Sequence, residues 1–594
     1  MPRAARPRRA SSELRPAPRA RSRPHRRIAR RGGRAPHPRR RDRMSIADEI
    51  AAFGAEVTEA TGRLAFHTGD DIPRVPHDPQ WVPEFTPASV EARVAELRAL
   101  RERWLAIDVS GAEVWVQVDY RLLGSMIHRA LWDLEVTRNW EHNAVFLVGQ
   151  ILGPWYDLLL PLPPFAPERQ RALVDIMRGM PDRVALAQQN IARAGTTDLA
   201  LSAAEMLEGI DGRLVAALDA LGEHLDPAAH AELAEAVPAT AGALEAFRAR
   251  LLADAPSMAA VEPVGRERFV WFLRNVALIP DEPEDLVRAA EHDLHRAVVA
   301  ERLTRNRYRD VPPAPLAASL EAQLELQHRQ EAEVREFLET EGLLTQPESL
   351  RRYHVAGMPR YVEALRMFGV PDDLTDEHRL DQDGVSYTPA PEEGLAYFYA
   401  ANARDPRLGI IHEGAHYKQL ALSWANPDAI RRRYIDSSAN EGIAHYTEEL
   451  TLLAGLFDDA PHSQTVVHNF MRLRALRVIA DVNLATGVFT LEQAVDHFVR
   501  RVPMDHRTAA EESAMYLATP GLAMSYHVGK QQLLALVSDA IVERGDDFSF
   551  RELHDAVFRN GNVPFALLRW ELLGDRSALD ALDADQTPEP WPAA

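Results

Sequence analysis

From Met44 onward, apolar positions recur every three or four residues in almost every long segment, the spacing of amphipathic α-helices. In "TPASVEARVAELRALRERWLAI", Thr86 can cap, Pro87 suits the first helical position, and Val90, Val94, Leu97 and Trp104 share a face. "PLAASLEAQLELQHRQEAEVREFLETEG" behaves alike: Leu316, Leu320, Leu324, Val334 and Leu338 align, and Gly342 ends the run. Alternation of the strand type is scarce. Its clearest instance is "EEGLAYFYAANA", residues 392–403, aromatic-rich and bounded by Pro391 and Pro406, which predicts a short hairpin or edge strand. The pattern predicts an all-α fold, a large multi-helical single body. No tandem repeat and no long flexible linker interrupts it. A soft boundary near "EPVG", residues 262–265, divides an N-terminal helical half, 44–262, from a second helical half, 263–594. Nothing there resembles a linker, so one continuous body is expected.

Composition narrows the chemistry. The chain has 594 residues, 46% hydrophobic and 26% charged, which is ample for a large soluble core. It has no cysteine, which excludes disulfides, thiol nucleophiles and thiolate metal sites; a metal must be held by His and carboxylates. The net charge of −20 conceals an asymmetry. Residues 1–43 carry 17 Arg against Glu13 and Asp42, a local +15 that leaves the remainder at −35. That acidic remainder argues against nucleic-acid or anionic-membrane partners. The tail has no Lys, lacks the apolar run of a secretory signal, and has no hydrophobic stretch behind its Arg pairs. It reads as a disordered Arg/Pro-rich segment, most simply a mis-assigned start ahead of "MSIADEI" at Met44. The longest apolar stretch, "AVFLVGQILGPWYDLLLPLP", is cut by Gln150, Pro154 and Asp157, too short to span a bilayer. A soluble, cytoplasmic protein is expected.

Candidate chemistry centres on "RDPRLGIIHEGAHYKQLALSW", residues 404–424. On a helix, His412 and His416 lie one above the other and can aim at one ion, while Glu413 sits about 100° further round. There it is out of the ligand pair but close enough to take a proton from a bound water. With 22 His in the chain, random order produces HExxH on the order of 0.05 times, so a third ligand is needed to decide. "RRYIDSSANEGIAHYTEELTLLAGLF" offers it: Asp436, Ser437, Ser438 and Asn440 are good caps, and Glu441 falls 25 residues after His416, on an adjoining helix, where a ligand is expected and complementation of the helix dipole is the bland reading. His445 and Glu448 share its stripe and are expected to support the ligands or face substrate. The cofactor expected is Zn²⁺. "EHDLH", with His292 and His295, is a much weaker second candidate; an exposed histidine pair is the ordinary reading. No GxGxxG, GxxxxGK or GxSxG motif stands in a suitable setting.

HExxH followed by a helix bearing "NEG" resembles the gluzincin zinc peptidases, and on an all-helical chain it is similar to the angiotensin-converting enzyme and thimet oligopeptidase relatives. More narrowly, "YFYAANARDPR", "IIHEGAHYKQLALSW", "DSSANEGIAHYTEEL", "MRLRALRVIADVNLATG" and "YLATPGLAMSYHVGK" resemble a bacterial family known as domain of unknown function 885, from about residue 60 to the C-terminus. Many of those relatives read HExxPGHH, whereas this chain keeps the compact spacing; it also has Leu522 and Ala485 where they usually have Gln and His. The resemblance implies Tyr526 as an oxyanion donor, with His527 as the alternate, and Asp481 as an acidic group that orients a zinc histidine. A core aromatic and a salt bridge to Arg477 are the bland readings of Tyr526 and Asp481. Arg472, Arg474 and Lys530 are candidate anchors for a substrate carboxylate, and the "YFYAA" segment for backbone pairing with a peptide.

The expected function is a zinc-dependent hydrolase, a metallopeptidase of carboxypeptidase or oligopeptidase type acting on a small peptide. The rivals are a non-catalytic helical scaffold with a vestigial zinc site, and a zinc hydrolase of a non-peptide amide or ester.

Overall fold

The computed structural model describes residues 45–62, 84–368, 370–502 and 504–591; the basic tail and Met44 lie outside them. Ile46–Ala594 forms one compact unit. As the periodicity predicts, it is built almost wholly of helices. The first predicted segment runs Pro87–Leu105, with the Thr86 side chain accepting from the Ser89 amide and Val90 and Leu97 buried.

Seven helices position the site: α1 (Pro283–Arg307), α2 (Leu320–Thr340), α3 (Tyr397–Arg404), α4 (Arg407–Trp424), α5 (Ser437–Ala454), α6 (Pro461–Thr486) and α7 (Leu522–Arg544). A single three-stranded sheet joins them among the described residues: β1 (Tyr353–Gly357), β2 (Asp372–Asp373) and β3 (Gly384–Thr388), in the order β1-β3-β2. β1 runs parallel to β3, with Tyr353 opposite Gly384, and β2 runs antiparallel to it, with Asp372 opposite Ser386.

One element differs from expectation. Residues 392–403 do not form a strand; Tyr397–Arg404 is α3. The alternation of Leu395, Tyr397 and Tyr399 imitated a strand, but Ala400, Ala401 and Ala403 favour helix. Tyr397 and Phe398 then pack on Phe470 of α6, with ring centroids 5.9 and 5.3 Å away. Asp405, ahead of Pro406, is extended at φ −144° and ends the helix. As a helix, this segment offers no strand edge along which a peptide could pair.

α4 is buried on almost every side, including His412, His416, Lys418 and Gln419. It lies against α5, and α5 lies along α7. That second pairing is backbone on backbone. A Cβ on Gly529 would stand 1.9 Å from the Ser438 carbonyl oxygen, and one on Gly442 would stand 2.6 Å from Gly529. α5 is further pinned through Tyr446, whose hydroxyl is 2.9 Å from His554 Nε2. The other ring nitrogen of His554 donates to the Leu343 carbonyl at 2.7 Å, so the buried ring is neutral and Nε2 accepts. Burial pushes its pKa down to about 4.

Two outcomes follow. Gly529→Ala should force α5 and α7 apart at a cost of about 3 kcal/mol, seen as a lowered melting temperature. A histidine with its folded pKa depressed below the unfolded value loses stability as pH falls from about 6.5 to 4, because only the unfolded chain takes the proton there. The fall in melting temperature over that window should therefore be shallower in His554→Gln than in the wild type.

Candidate metal centre

α4 opens where Asp405 Oδ1 accepts from the Arg407 amide at 3.2 Å. The i, i+4 spacing then stacks the two histidines, their ring centroids 5.0 Å apart and their planes at 87°. α5 opens with Asp436, whose side chain accepts from the Ala439 amide at 3.0 Å, and this cap puts Glu441 in the second turn, facing α4. Glu441 Oε2 lies 3.3 Å from His416 Nε2 and 3.6 Å from His412 Nε2.

Ligands bonded at about 2.1 Å to a tetrahedral ion stand about 3.4 Å from each other, so this spacing fits one. Glu441 Oε2 is buried yet makes no hydrogen bond of ordinary geometry, which also suits a donor meant for a cation. Two imidazoles and a carboxylate are a donor set for zinc or a similar divalent ion. His412 and Glu441 favour each other's charged form. Burial pushes His412 down, but hydrogen bonds to Glu441 and Glu448 and the charge of Glu413 carry it up to about 10. Burial pushes Glu441 up, and the charge and hydrogen bonds of the two histidines outweigh this and hold it at about 2.

Glu413 is half-buried, and its nearest donor atom lies within 4.8 Å of those of both histidines. Among the described residues, His412, Glu413 and His416 are the one group of three potential ligands whose donor atoms all lie within 4.8 Å of one another; Glu441 joins them through its contacts with the two histidines. His292 and His295 are exposed on α1 and join no such group. Their neighbour Asp293 instead places Oδ2 3.3 Å from Nε2 of the buried His527.

Glu448 is the junction of the centre. Its Oε1 lies 2.7 Å from His412 Nδ1 and 3.3 Å from Arg474 Nη2, and its Oε2 accepts from His445 Nδ1 at 2.9 Å. Burial pushes Glu448 up, but the Arg474 charge and both imidazoles hold it well below the carboxylate range. Burial and the nearby Lys530 push His445 well below the histidine range, so that ring is neutral.

Glu448, and not Asp481, is therefore the carboxylate set against His412. Asp481 is buried and accepts from the Gly521 and Met524 amides at 3.0 and 2.9 Å, anchoring the first turn of α7. Its salt bridge with Arg477 is absent too, since Arg477 pairs with Glu512 at 2.7 Å. The two groups sit on one helix, but a helix N-terminus offers the buried carboxylate better donors. Tyr526, in the second turn of α7, lies alongside His412 with ring centroids 6.3 Å apart and planes at 11°.

One neighbour escaped the sequence reading. Asp372 on β2 lies within electrostatic reach of Glu413; burial and the Glu413 charge push its carboxyl well above the usual range, and its Oδ1 is buried without a partner. Asp372 follows a proline in an aperiodic stretch, and only pairing with β3 carries it to α4.

Comparison with known families matches residues 66–572 to the bacterial proteins of unknown function named DUF885. The chain belongs to the DUF885 family. No curated protein matches this DUF885 chain. Two solved structures share its fold. One is a candidate lipoprotein from Colwellia psychrerythraea, 15% identical, with a TM-score of 0.70 over 91% of this chain and 100% of that one. The other is a candidate lipoprotein of unknown function from Shewanella oneidensis, 16% identical, with a TM-score of 0.65 over 89% of this chain and 100% of that one. No helix among the described residues of this DUF885 protein is long and apolar enough to cross a membrane.

Removing the Glu448 carboxylate strands a buried guanidinium and two imidazoles. Glu448→Ala should cost about 3 kcal/mol or more, and a thermal melt of the chelator-treated protein reads this apart from any effect on metal.

Proposed function

We propose that the protein is a zinc-dependent hydrolase, specifically a metallopeptidase acting on small peptides. The observation that carries this reading is that Glu441 Oε2 lies 3.3 Å from His416 Nε2 and 3.6 Å from His412 Nε2, with Glu413 beside the two histidines. Zinc held by these three residues would supply Lewis acidity, bringing the pKa of water toward neutrality and polarising a carbonyl. The remaining work falls to the chain itself. Glu413 takes a proton from the attacking water as its oxygen bonds to the peptide carbonyl carbon. The C–N bond then breaks, Glu413 returns the proton to the departing nitrogen, and an acid and an amine leave. Glu448 Oε1, 2.7 Å from His412 Nδ1, is the carboxylate set against the ring on the side away from Nε2. Tyr526, with its ring against His412, is the donor to the developing oxyanion; His527 is turned to Asp293 instead.

Purified protein should contain about one zinc and cleave members of a mixed peptide library, and chelator should abolish cleavage. Glu413→Gln should retain zinc and lose at least about a hundredfold in kcat, since general base catalysis contributes on that scale. Glu441→Ala should lose zinc by elemental analysis. Near wild-type turnover in the first variant, or wild-type zinc in the second, would remove that residue from its role.

A further inference from the structure

We propose that Arg474 anchors a free substrate carboxylate, which narrows the substrate class to short peptides with an unblocked C-terminus; this rests on the hydrolase reading above. Three cations were open to this role, and their partners separate them. Arg472 lies 3.1 Å from Glu301, and Lys530 Nζ donates to Glu449 at 2.8 Å. Neither contacts a residue of the metal centre in these pairs. Arg474 touches it twice. Its Nη2 meets Glu448, which also holds His412, and its guanidinium lies 5.6 Å from the ring centre of Tyr526, which stacks on His412.

Arg474 is only 4% exposed, and its Nε and Nη1 are buried without a hydrogen-bond partner. Arginine keeps its charge under all ordinary conditions, so these donors ask for an acceptor. Phe398, Phe470 and Tyr526 put ring faces 5.0–5.6 Å from the guanidinium and fix its plane. Such a planar, fixed donor suits a carboxylate better than an ammonium would. One wall of this aromatic box, Phe398 of α3, is itself 40% exposed. A carboxylate held at Nη1 would sit beside Tyr526, whose ring stacks on His412.

The test uses the full-length protein with acetyl-Ala-Ala and acetyl-Ala-Ala-amide. Calorimetric titration of the chelator-treated protein should show the free acid binding at least about tenfold more tightly than the amide, the scale of a charge-assisted hydrogen bond. Arg474→Gln should bring the two probes to within about twofold. Arg474→Lys, which keeps the charge opposite Glu448 and so guards against misfolding, should retain an intermediate preference. Equal binding of acid and amide to wild type, no binding of either, or an undiminished preference in Arg474→Gln overturns the anchor. Turnover of longer peptides in acid and amide form separates the two claims. Chelator-sensitive cleavage indifferent to the terminus keeps the hydrolase and sinks the anchor. A preference in binding without any cleavage supports the anchor and sinks the hydrolase.

Discussion

Backbone meets backbone where α5 crosses α7, and the rest of the centre depends on that contact. With no side chain at Gly442 or Gly529, the helices approach until the Ser438 carbonyl lies where a Cβ of residue 529 would be. Glu441 is the neighbour of Gly442, so this approach sets which way the carboxylate faces. It also brings Tyr526 and Lys530, three residues before and one after Gly529, against the same helix. A larger residue would turn both faces away from α4.

The second constraint is electrostatic. An acidic carboxylate buried as deeply as Glu448 needs several partners, and it has them: one imidazole of the metal centre, one neutral imidazole and one guanidinium. The arrangement ties the orientation of a ligand to the position of Arg474, so metal and substrate recognition would share one carboxylate. Asp481 solves the same problem differently, using helix amides where no cation is at hand.

Much of the centre was legible because its spacing is local. His412, Glu413 and His416 lie within one helical turn, and Glu441 follows a recognisable cap at Asp436. The absence of cysteine restricted the donors before any geometry was known. Less was legible in the 350–404 region. Short strands such as "YHVAG" and "GVSYT" have too few residues for periodicity to register, and α3 alternated like a strand although its alanines and its packing on Phe470 favour helix.

What the sequence determined by itself, then, is the helical fold class, the metal-ligand set it can offer and the family it belongs to, because these depend on residue type and on spacing within single elements. Tertiary structure decided the partners. Glu448 rather than Asp481 faces His412, Asp372 comes within electrostatic reach of Glu413, and Arg474 rather than Arg472 or Lys530 touches the centre. Each of these contacts joins groups far apart in the chain, and their distances are set by how the helices pack, a quantity that no local pattern encodes.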